Sequence, residues 1–256
     1  SLARNRILDP REYELMYKVE DEHWWYRGMA SVTRALLNRW YRSQTRLDIL
    51  DAGCGAGSAM STFLADYGQV TGIDIHPLAL GYCRKRGLTR IARASALSLP
   101  FASAQFDVVT SFDVLYEKAV ENDLAALIEF ARVLLPGGRV FLRLPAYDWL
   151  RGRHDEMVHT KKRYTTKQAA QLLAESGLVV EHISFANMFL FPIAVLKRWG
   201  EKLFSTEGGR SDLNLNAGIF NTLFEKILTS EATLIAGTSL PFGLSVVAVG
   251  RKRRAA

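Results

Sequence analysis

Short apolar runs rich in Val, Ile and Leu alternate along the chain with longer stretches that have helical periodicity. This alternation predicts a mostly parallel sheet covered on both faces by helices. The fold class expected is therefore α/β, with a Rossmann-like, doubly wound, seven-stranded sheet. The seven strands are predicted near residues 46–50, 69–75, 91–93, 106–111, 138–144, 179–185 and 244–250.

Helical periodicity fills the gaps between these strands and extends beyond them. Helices are predicted within the core at 57–67, 77–86, 122–134 and 166–176, with Pro136-Gly137-Gly138 ending the third. Two more precede the first strand, at 9–20 and 29–41, joined by the aromatic cluster at 23–27, and two lie at 188–199 and 220–236. The predicted divisions are an N-terminal helical lid at 1–45, a Rossmann-like core at 46–185, a helical insertion or cap at 186–240, and a last strand with a basic tail at 241–256.

The strongest chemical signal follows the first predicted strand, where Asp51 precedes a loop with glycine at positions 53, 55 and 57. Such glycines let the backbone turn tightly and approach a ligand closely. Asp74 ends the next apolar strand, where a carboxylate can accept both hydroxyls of a ribose. The third glycine comes one residue too early for the dinucleotide fingerprint. Asp51 would also repel a pyrophosphate but can balance a cationic ligand.

With these motifs the chain resembles the class I S-adenosylmethionine (SAM)-dependent methyltransferases, and among them the group with type 11 methyltransferase domains. The resemblance covers most of residues 46–176 and continues through the motifs at 99–101, 105–109, 132–138 and 163–165. It implies SAM as the cofactor, S-adenosylhomocysteine (SAH) as the product, and transfer of a methyl group to an O, N or C atom of a small-molecule acceptor.

The resemblance also implies positions for the cofactor. It places Asp51 and the loop Gly53, Cys54, Gly55 and Gly57 around the methionine part, Asp74 at the ribose and Ile75 against the adenine. Beside the base the family commonly has an Asp, where this chain has Ser95, Ala96 and Leu97. The Ser95 hydroxyl and the backbone N–H groups of Ala96 and Leu97 are the candidates there.

Two further groups of residues are expected near the cofactor. Phe112 and Asp113 follow the fourth strand, at the sheet edge where α/β proteins bind ligands. Arg27 is a candidate partner for the SAM carboxylate, and Trp25 or Tyr26 for the sulfonium. The alternative for this aromatic segment is a hydrophobic clamp that packs the N-terminal helices.

Methyl transfer is a displacement at a carbon that positive sulfur already activates, so orientation supplies much of the catalysis. A hydroxyl acceptor would benefit from a general base. The candidates are His154, His159 and Tyr116, together with Asp155 and Glu117. Surface or hydrogen-bonding roles are the alternative for each, and no spacing of His and Cys indicates a metal site.

Charge and composition leave the acceptor open. The formal net charge is +7, of which residues 251–254 supply four. The basic run 151–164 favours an anionic acceptor, unless it is simply a solvated loop. The apolar insertion favours a hydrophobic acceptor, a homodimer interface or a membrane surface, unless it only packs on the N-terminal helices.

The expected location is the cytoplasm, because the charged first twenty residues do not form a secretory signal and no run is long enough to span a membrane. Two other functions compete with a small-molecule methyltransferase. One is a nucleic-acid (RNA) methyltransferase, although the chain lacks the Asn-Pro-Pro-Tyr type of motif, so nucleic acid is not the expected partner. The other is a non-catalytic SAM-binding module.

Overall fold

A computed structural model of the chain describes residues 10–41, 46–152, 155, 160–203 and 219–254. One seven-stranded sheet has the order β3-β2-β1-β4-β5-β7-β6, and only β7 runs antiparallel to its neighbours. The predicted α/β class with seven strands is confirmed. The strands are β1 Leu47–Ala52, β2 Gly68–Asp74, β3 Ile91–Arg93, β4 Phe106–Phe112, β5 Leu134–Pro145, β6 Leu178–Ala186 and β7 Ser245–Lys252.

Eight α-helices surround this sheet within the described ranges. They are α1 Pro10–Val19, α2 Trp24–Trp40, α3 Ser58–Thr62, α4 Pro77–Lys85, α5 Asp123–Val133, α6 Thr166–Glu175, α7 Phe191–Leu203 and α8 Ile219–Gly237. Thr165 caps α6 through a capping box with Gln168, which satisfies two backbone donors at the start of this helix.

Three helix predictions differ from the structure. The aromatic cluster 23–27 is not a linker, because α2 begins at Trp24 with the His23 side chain accepting the Trp25 N–H. The helix predicted at 57–67 ends at Thr62, and a 3₁₀ turn at Leu64–Asp66 follows. The helix predicted at 188–199 begins only at Phe191.

The centre of the sheet is the most deeply buried part of the molecule. Ile49 and Leu50 on β1, and Val108 and Val109 on β4, are inaccessible to solvent between the two helical layers. Removing such side chains from water supplies roughly 25 cal/mol per Å² of apolar surface, the main favourable term in folding. The loops at the carboxyl ends of β1 and β4 therefore start from a rigid base.

The N-terminal and inserted helices pack on each other. A Cβ atom on Gly28 of α2 would lie 2.6 Å from Leu228 Cδ2 of α8, so glycine permits this close approach. The Asn221 Oδ1 atom accepts the Trp24 N–H at 2.8 Å, and Arg27 forms an ion pair with Glu225 at 3.1 Å. The lid and the insertion thus meet along α2 and α8.

The insertion and the basic tail are connected to opposite ends of strand β7. Ser245, where the insertion ends, pairs with Pro145 at the carboxyl end of β5, whereas Lys252 pairs with Leu178 at the other end. The basic tail therefore does not lie beside the insertion. In the described ranges, no helix combines the length and apolar character required to cross a bilayer.

Candidate cofactor and acceptor site

Asp51 lies at the carboxyl end of β1 in register with Thr110 of β4. The Thr110 hydroxyl donates to Asp51 Oδ1 at 2.7 Å, which fixes the carboxyl group beside the glycine loop. Burial raises the pKa of Asp51 to about 6, against the lowering effects of the Thr110 hydrogen bond and the charge of Arg143. A cation bound next to Asp51 would stabilise its ionised form further.

Asp74 at the end of β2 is the second carboxyl group of this edge. Its Oδ2 accepts the Gly55 N–H at 3.1 Å, and its Oδ1 accepts the His76 N–H at 2.8 Å. Burial raises the pKa of Asp74 to about 6, although these N–H groups lower it. A carboxylate has about four acceptor positions, so Asp74 can still accept hydroxyl donors.

These two carboxyl groups fit SAM rather than a dinucleotide. SAM carries an ammonium, a sulfonium and a ribose diol, and the two positive charges would stabilise the ionised acids. A pyrophosphate would add negative charge to a region that already holds Asp51 and Asp74. Gly55 has the left-handed φ of +54°, which lets its N–H point at Asp74 while its carbonyl faces the buried Cys83 thiol.

Helix α1 covers this loop. A Cβ atom on Gly55 would lie 3.2 Å from Met16 Cε, so the loop and the helix are in close contact. The link continues through Arg86, which donates to Glu20 Oε1 at 2.8 Å and to the Ala56 carbonyl at 2.9 Å. One side chain thus joins the lid to the glycine loop.

A cavity of about 800 Å³ lies at the carboxyl edge of the sheet between the lid and the insertion. This volume is near the upper end of the roughly 300–1,000 Å³ of typical ligand pockets, so it accommodates a cofactor and a small acceptor side by side. The cavity is lined by most of the residues expected at the cofactor or as a base, which are Arg27, Trp25, Tyr26, Asp51, Gly53, Cys54, Gly55, Asp74, Ile75, Ser95, Ala96, Phe112, Asp113, Tyr116, Glu117 and Asp155.

Two expected cofactor residues do not line this cavity. Gly57 is the N-cap of α3 and faces α4, where an added Cβ would lie 2.6 Å from Leu88 Cδ1. The Leu97 N–H donates to Ser95 Oγ at 3.2 Å, so it is used within its own turn. Of the three candidates for the adenine contact, Ser95 and Ala96 line the cavity. The candidate bases His154 and His159 lie outside the described residues.

The aromatic entry segment makes contacts that differ from the expected ones. Arg27, expected at the SAM carboxylate, forms its ion pair with Glu225 of α8. The Trp25 ring, expected at the sulfonium, lies 4.7 Å from the Arg143 guanidinium carbon. Both residues also border the cavity, so the cofactor roles expected of them and the clamp alternative stay predictions.

Several cavity residues had not been singled out from the sequence. Tyr13, Met16 and Glu20 reach it from the lid, Arg143 from β5, and Asn187 from the start of the insertion. Arg143 could have been identified from the sequence as a candidate site residue, because its charge interrupts the apolar run at the carboxyl end of β5. The helices of the lid carry no comparable signal, since only tertiary packing brings α1 over the glycine loop.

The sequence comparisons agree with this geometry. Residues 50–142 match the family model described as a methyltransferase domain. The chain is 32% identical over 118 residues to the phthiotriol/phenolphthiotriol dimycocerosates methyltransferase of Mycobacterium leprae. The aligned region covers 42% of this chain and 43% of that protein. It is 29% identical over 138 residues to a protein of Bos taurus named probable tRNA methyltransferase 9B, covering 50% of this chain and 28% of that one.

Among solved structures, the fold is similar to that of a Haloferax volcanii complex between the Trm112 methyltransferase activator and a methyltransferase. The TM-score is 0.61 at 18% identity, with 96% of this chain and 95% of that chain covered. At this identity the likeness shows the fold alone. The present chain spans less than half the length of the two curated relatives given above.

The fold, the two carboxyl groups at the glycine loop and the family match define a class I SAM-dependent methyltransferase domain. Within that class, the segment at 50–142 belongs to the type 11 methyltransferase domain family. The predicted family and the predicted cofactor, SAM, are confirmed.

Proposed function

We propose that the protein transfers a methyl group from SAM to an O, N or C atom of a small-molecule acceptor. The observation that carries this proposal is one partly open cavity with two different ends. Asp51, Asp74 and the glycine loop form the cofactor end. The opposite end is walled by the insertion and by the carboxyl ends of β5 and β7, and its apolar residues are Pro145, Leu150, Leu190, Ile193, Ala194 and Leu244.

The charges near this second end favour a hydrophobic acceptor over an anionic one. Arg163, in the basic run expected to hold an anion, donates to Asp155 at 2.8 Å. Lys161 and Lys162 both contact Asp123. Because Asp155 and Asp123 already pair with these three cations, an anionic acceptor would have to compete with two carboxylates. The proposal includes a location in the cytoplasm. It also includes a protein that acts as a monomer or homodimer and has no nucleic-acid partner.

A binding experiment tests the cofactor end. We expect calorimetry to show SAM and SAH binding and no NAD binding. The Asp74→Ala variant removes charge-assisted hydrogen bonds to the ribose, so its affinity for SAH falls by about 1–3 kcal/mol. Asp48→Ala is the matched control, because Asp48 is an exposed acid on β1, outside the cavity wall. Equal affinities for SAH in the two variants would contradict the ribose assignment.

An activity experiment tests the acceptor end. The protein is incubated with methyl-labelled SAM and, separately, with an apolar metabolite extract and with total tRNA. We expect label in the extract and none in the tRNA. Label in the tRNA alone would replace the proposed function by that of a nucleic-acid methyltransferase. SAM binding without transfer to any acceptor would favour the non-catalytic module.

A further inference from the structure

Glu117 is the acidic side chain of the cavity wall that lacks a partner. It lies in the turn after β4, where its N–H donates to the Val114 carbonyl at 3.0 Å and its backbone pairs with Thr160. These contacts fix the backbone on both sides of the residue. In the part of the chain that the structure describes, its carboxyl group has no hydrogen bond and no ion pair, although it lines the cavity.

Three neighbouring acids of the wall have ion-pair partners, whereas Asp51 and Asp74 accept hydrogen bonds from the Thr110 hydroxyl and from backbone N–H groups. Asp113 pairs with Arg143 at 2.5 Å, Asp155 with Arg163 at 2.8 Å, and Glu225 with Arg27 at 3.1 Å. Glu117 is half-buried, and a carboxylate that is partly removed from water without such a partner takes up a proton more readily. Glu117 is thus set apart from the structural ion pairs around it.

The groups that face Glu117 are acidic or phenolic. Asp74 approaches from β2 and Asp113 from the end of β4, while Tyr13 of α1 and the adjacent Tyr116 complete the surroundings. Burial first, and then the charges of Asp74 and Asp113, raise the pKa of Glu117 to about 8. In the cofactor-free protein at neutral pH, Glu117 is therefore mostly a neutral acid.

A positive charge near this carboxyl group reverses the balance, because it favours the ionised form. Asp74 marks the ribose end of the cofactor, and Glu117 lies close enough to feel its charge. SAM has a sulfonium next to the ribose, whereas SAH has a neutral thioether there. The two ligands therefore differ by one positive charge at the position that faces this part of the wall.

Resting on the proposed function, we propose that Glu117 is the catalytic base of the methyl transfer and that the acceptor atom is an oxygen or nitrogen bearing a proton. Glu117 gives up its proton as SAM binds and stays ionised while the sulfonium is present. A general base of this kind is most effective when its proton affinity is matched to the operating pH.

The step balances in charge and atoms. The acceptor lone pair forms a bond to the methyl carbon, and the carbon–sulfur bond breaks with its electron pair going to sulfur. Glu117 accepts the proton that leaves the acceptor oxygen or nitrogen. Because the sulfonium charge disappears in the same step, the protonated form of Glu117 is again the favoured one. Its proton passes to solvent when the next SAM molecule binds.

Proton release on binding tests this inference without any acceptor. Calorimetric titrations of SAM and of SAH are made at pH 7 in two buffers with different enthalpies of ionisation, which gives the protons released per ligand. We expect SAM to release up to one proton more than SAH. Asp51 and Asp74 are mostly ionised at this pH, since their pKa values are about 6, and both ligands carry the ammonium and the ribose.

The Glu117→Gln variant should bind both ligands and lose the difference in proton release. Glu175→Gln is the matched control, because Glu175 is an exposed acid on α6, and it should keep the difference. Equal release for SAM and SAH in the native protein overturns the inference, even if the Gln variant fails to fold. A difference that persists in Glu117→Gln overturns it as well. Absence of any SAM binding instead refutes the proposed function on which it rests.

Discussion

The Arg143 guanidinium donates to Asp113 Oδ2 at 2.5 Å and lies over the rings of Trp25 and Phe112, 4.7 and 5.0 Å from their centroids. This cluster joins the end of β5 to the end of β4 and to the lid helix α2. Asp113 has a φ of +60°, which is uncommon for a residue with a side chain. The ion pair therefore helps to hold a strained turn at the cavity wall.

Breaking this pair should destabilise the fold. The Arg143→Met variant leaves Asp113 partly buried without its counter-ion, so we expect the free energy of unfolding to fall by about 3 kcal/mol. Urea denaturation followed by circular dichroism measures it. In a double-mutant cycle with Asp113→Asn, the loss for the double variant should be smaller than the sum of the single losses. Strictly additive losses would show that the two side chains are not coupled.

A second prediction concerns the tie between the lid and the glycine loop. Arg86 contacts Glu20 and Asp21 of the lid at 2.8 and 2.6 Å as well as the Ala56 carbonyl. Arg86→Met removes these bonds, so α1 should open more often and SAH affinity should fall about tenfold, or 1.4 kcal/mol. Calorimetry measures the affinity, and limited proteolysis should show faster cleavage in residues 10–23.

The control for this experiment is Arg84→Met on the same helix, because Arg84 is exposed. It should leave both the affinity and the cleavage rate unchanged. If Arg86→Met binds SAH as the native protein does while its lid is cleaved faster, then the position of the lid does not control access to the cofactor site.

The third prediction concerns stability and pH. The pKa values of Asp51 and Asp74 rise to about 6 and that of Glu117 to about 8, each above its value in the unfolded chain. An acid whose pKa is higher in the folded than in the unfolded protein stabilises the fold while it is protonated. This contribution has its full size at a pH below the pKa of the unfolded state, and it is lost as the pH rises through the pKa of the folded state. From pH 7 to 8 the cofactor-free protein should therefore melt at progressively lower temperature, whereas below pH 7 the lowered pKa values of His23, His76 and His182 act in the opposite direction.

Between pH 6.5 and 8, Glu117 is the main one of these three acids that still holds its proton in the folded state. Its contribution to the slope is at most about 1.4 kcal/mol per pH unit. Thermal melts of Glu117→Gln should thus be flatter than those of the native protein over this interval. Parallel profiles would mean that Glu117 is already ionised without SAM.

The sheet could be predicted from the sequence because its strands are local, nearly continuous apolar runs. Boundaries were less predictable where tertiary contacts decide them. β5 begins at Leu134 rather than near 138, because Leu134 pairs with Phe106 across a register shift in β4. The helix after the glycine loop stops early, since Phe63 turns inward and packs near Phe112.

The cofactor end of the site was also largely readable from the sequence. Asp51, Gly55 and Asp74 depend on short segments at the ends of two adjacent strands, and parallel pairing of β1 with β2 brings those ends together. The acceptor end of the site could not be predicted from the sequence in the same way. Three cations of the basic run that suggested an anionic ligand instead pair with Asp155 and Asp123, and the sequence does not show such pairing.

The sequence by itself determined the fold class, the family and the two carboxyl groups of the cofactor site, because each follows from residues close together in the chain. Only the tertiary structure decided which charges are compensated. Arg143 meets Asp113 from 30 residues away, and Arg86 meets Glu20 from 66 residues away. Among the residues that the structure describes, Glu117 has no such partner, whereas Asp113, Asp155 and Glu225 of the cavity wall do. Coulombic and desolvation effects depend on distances in space. Only the folded structure therefore shows that Glu117 is the acid without an ion-pair partner among the described residues.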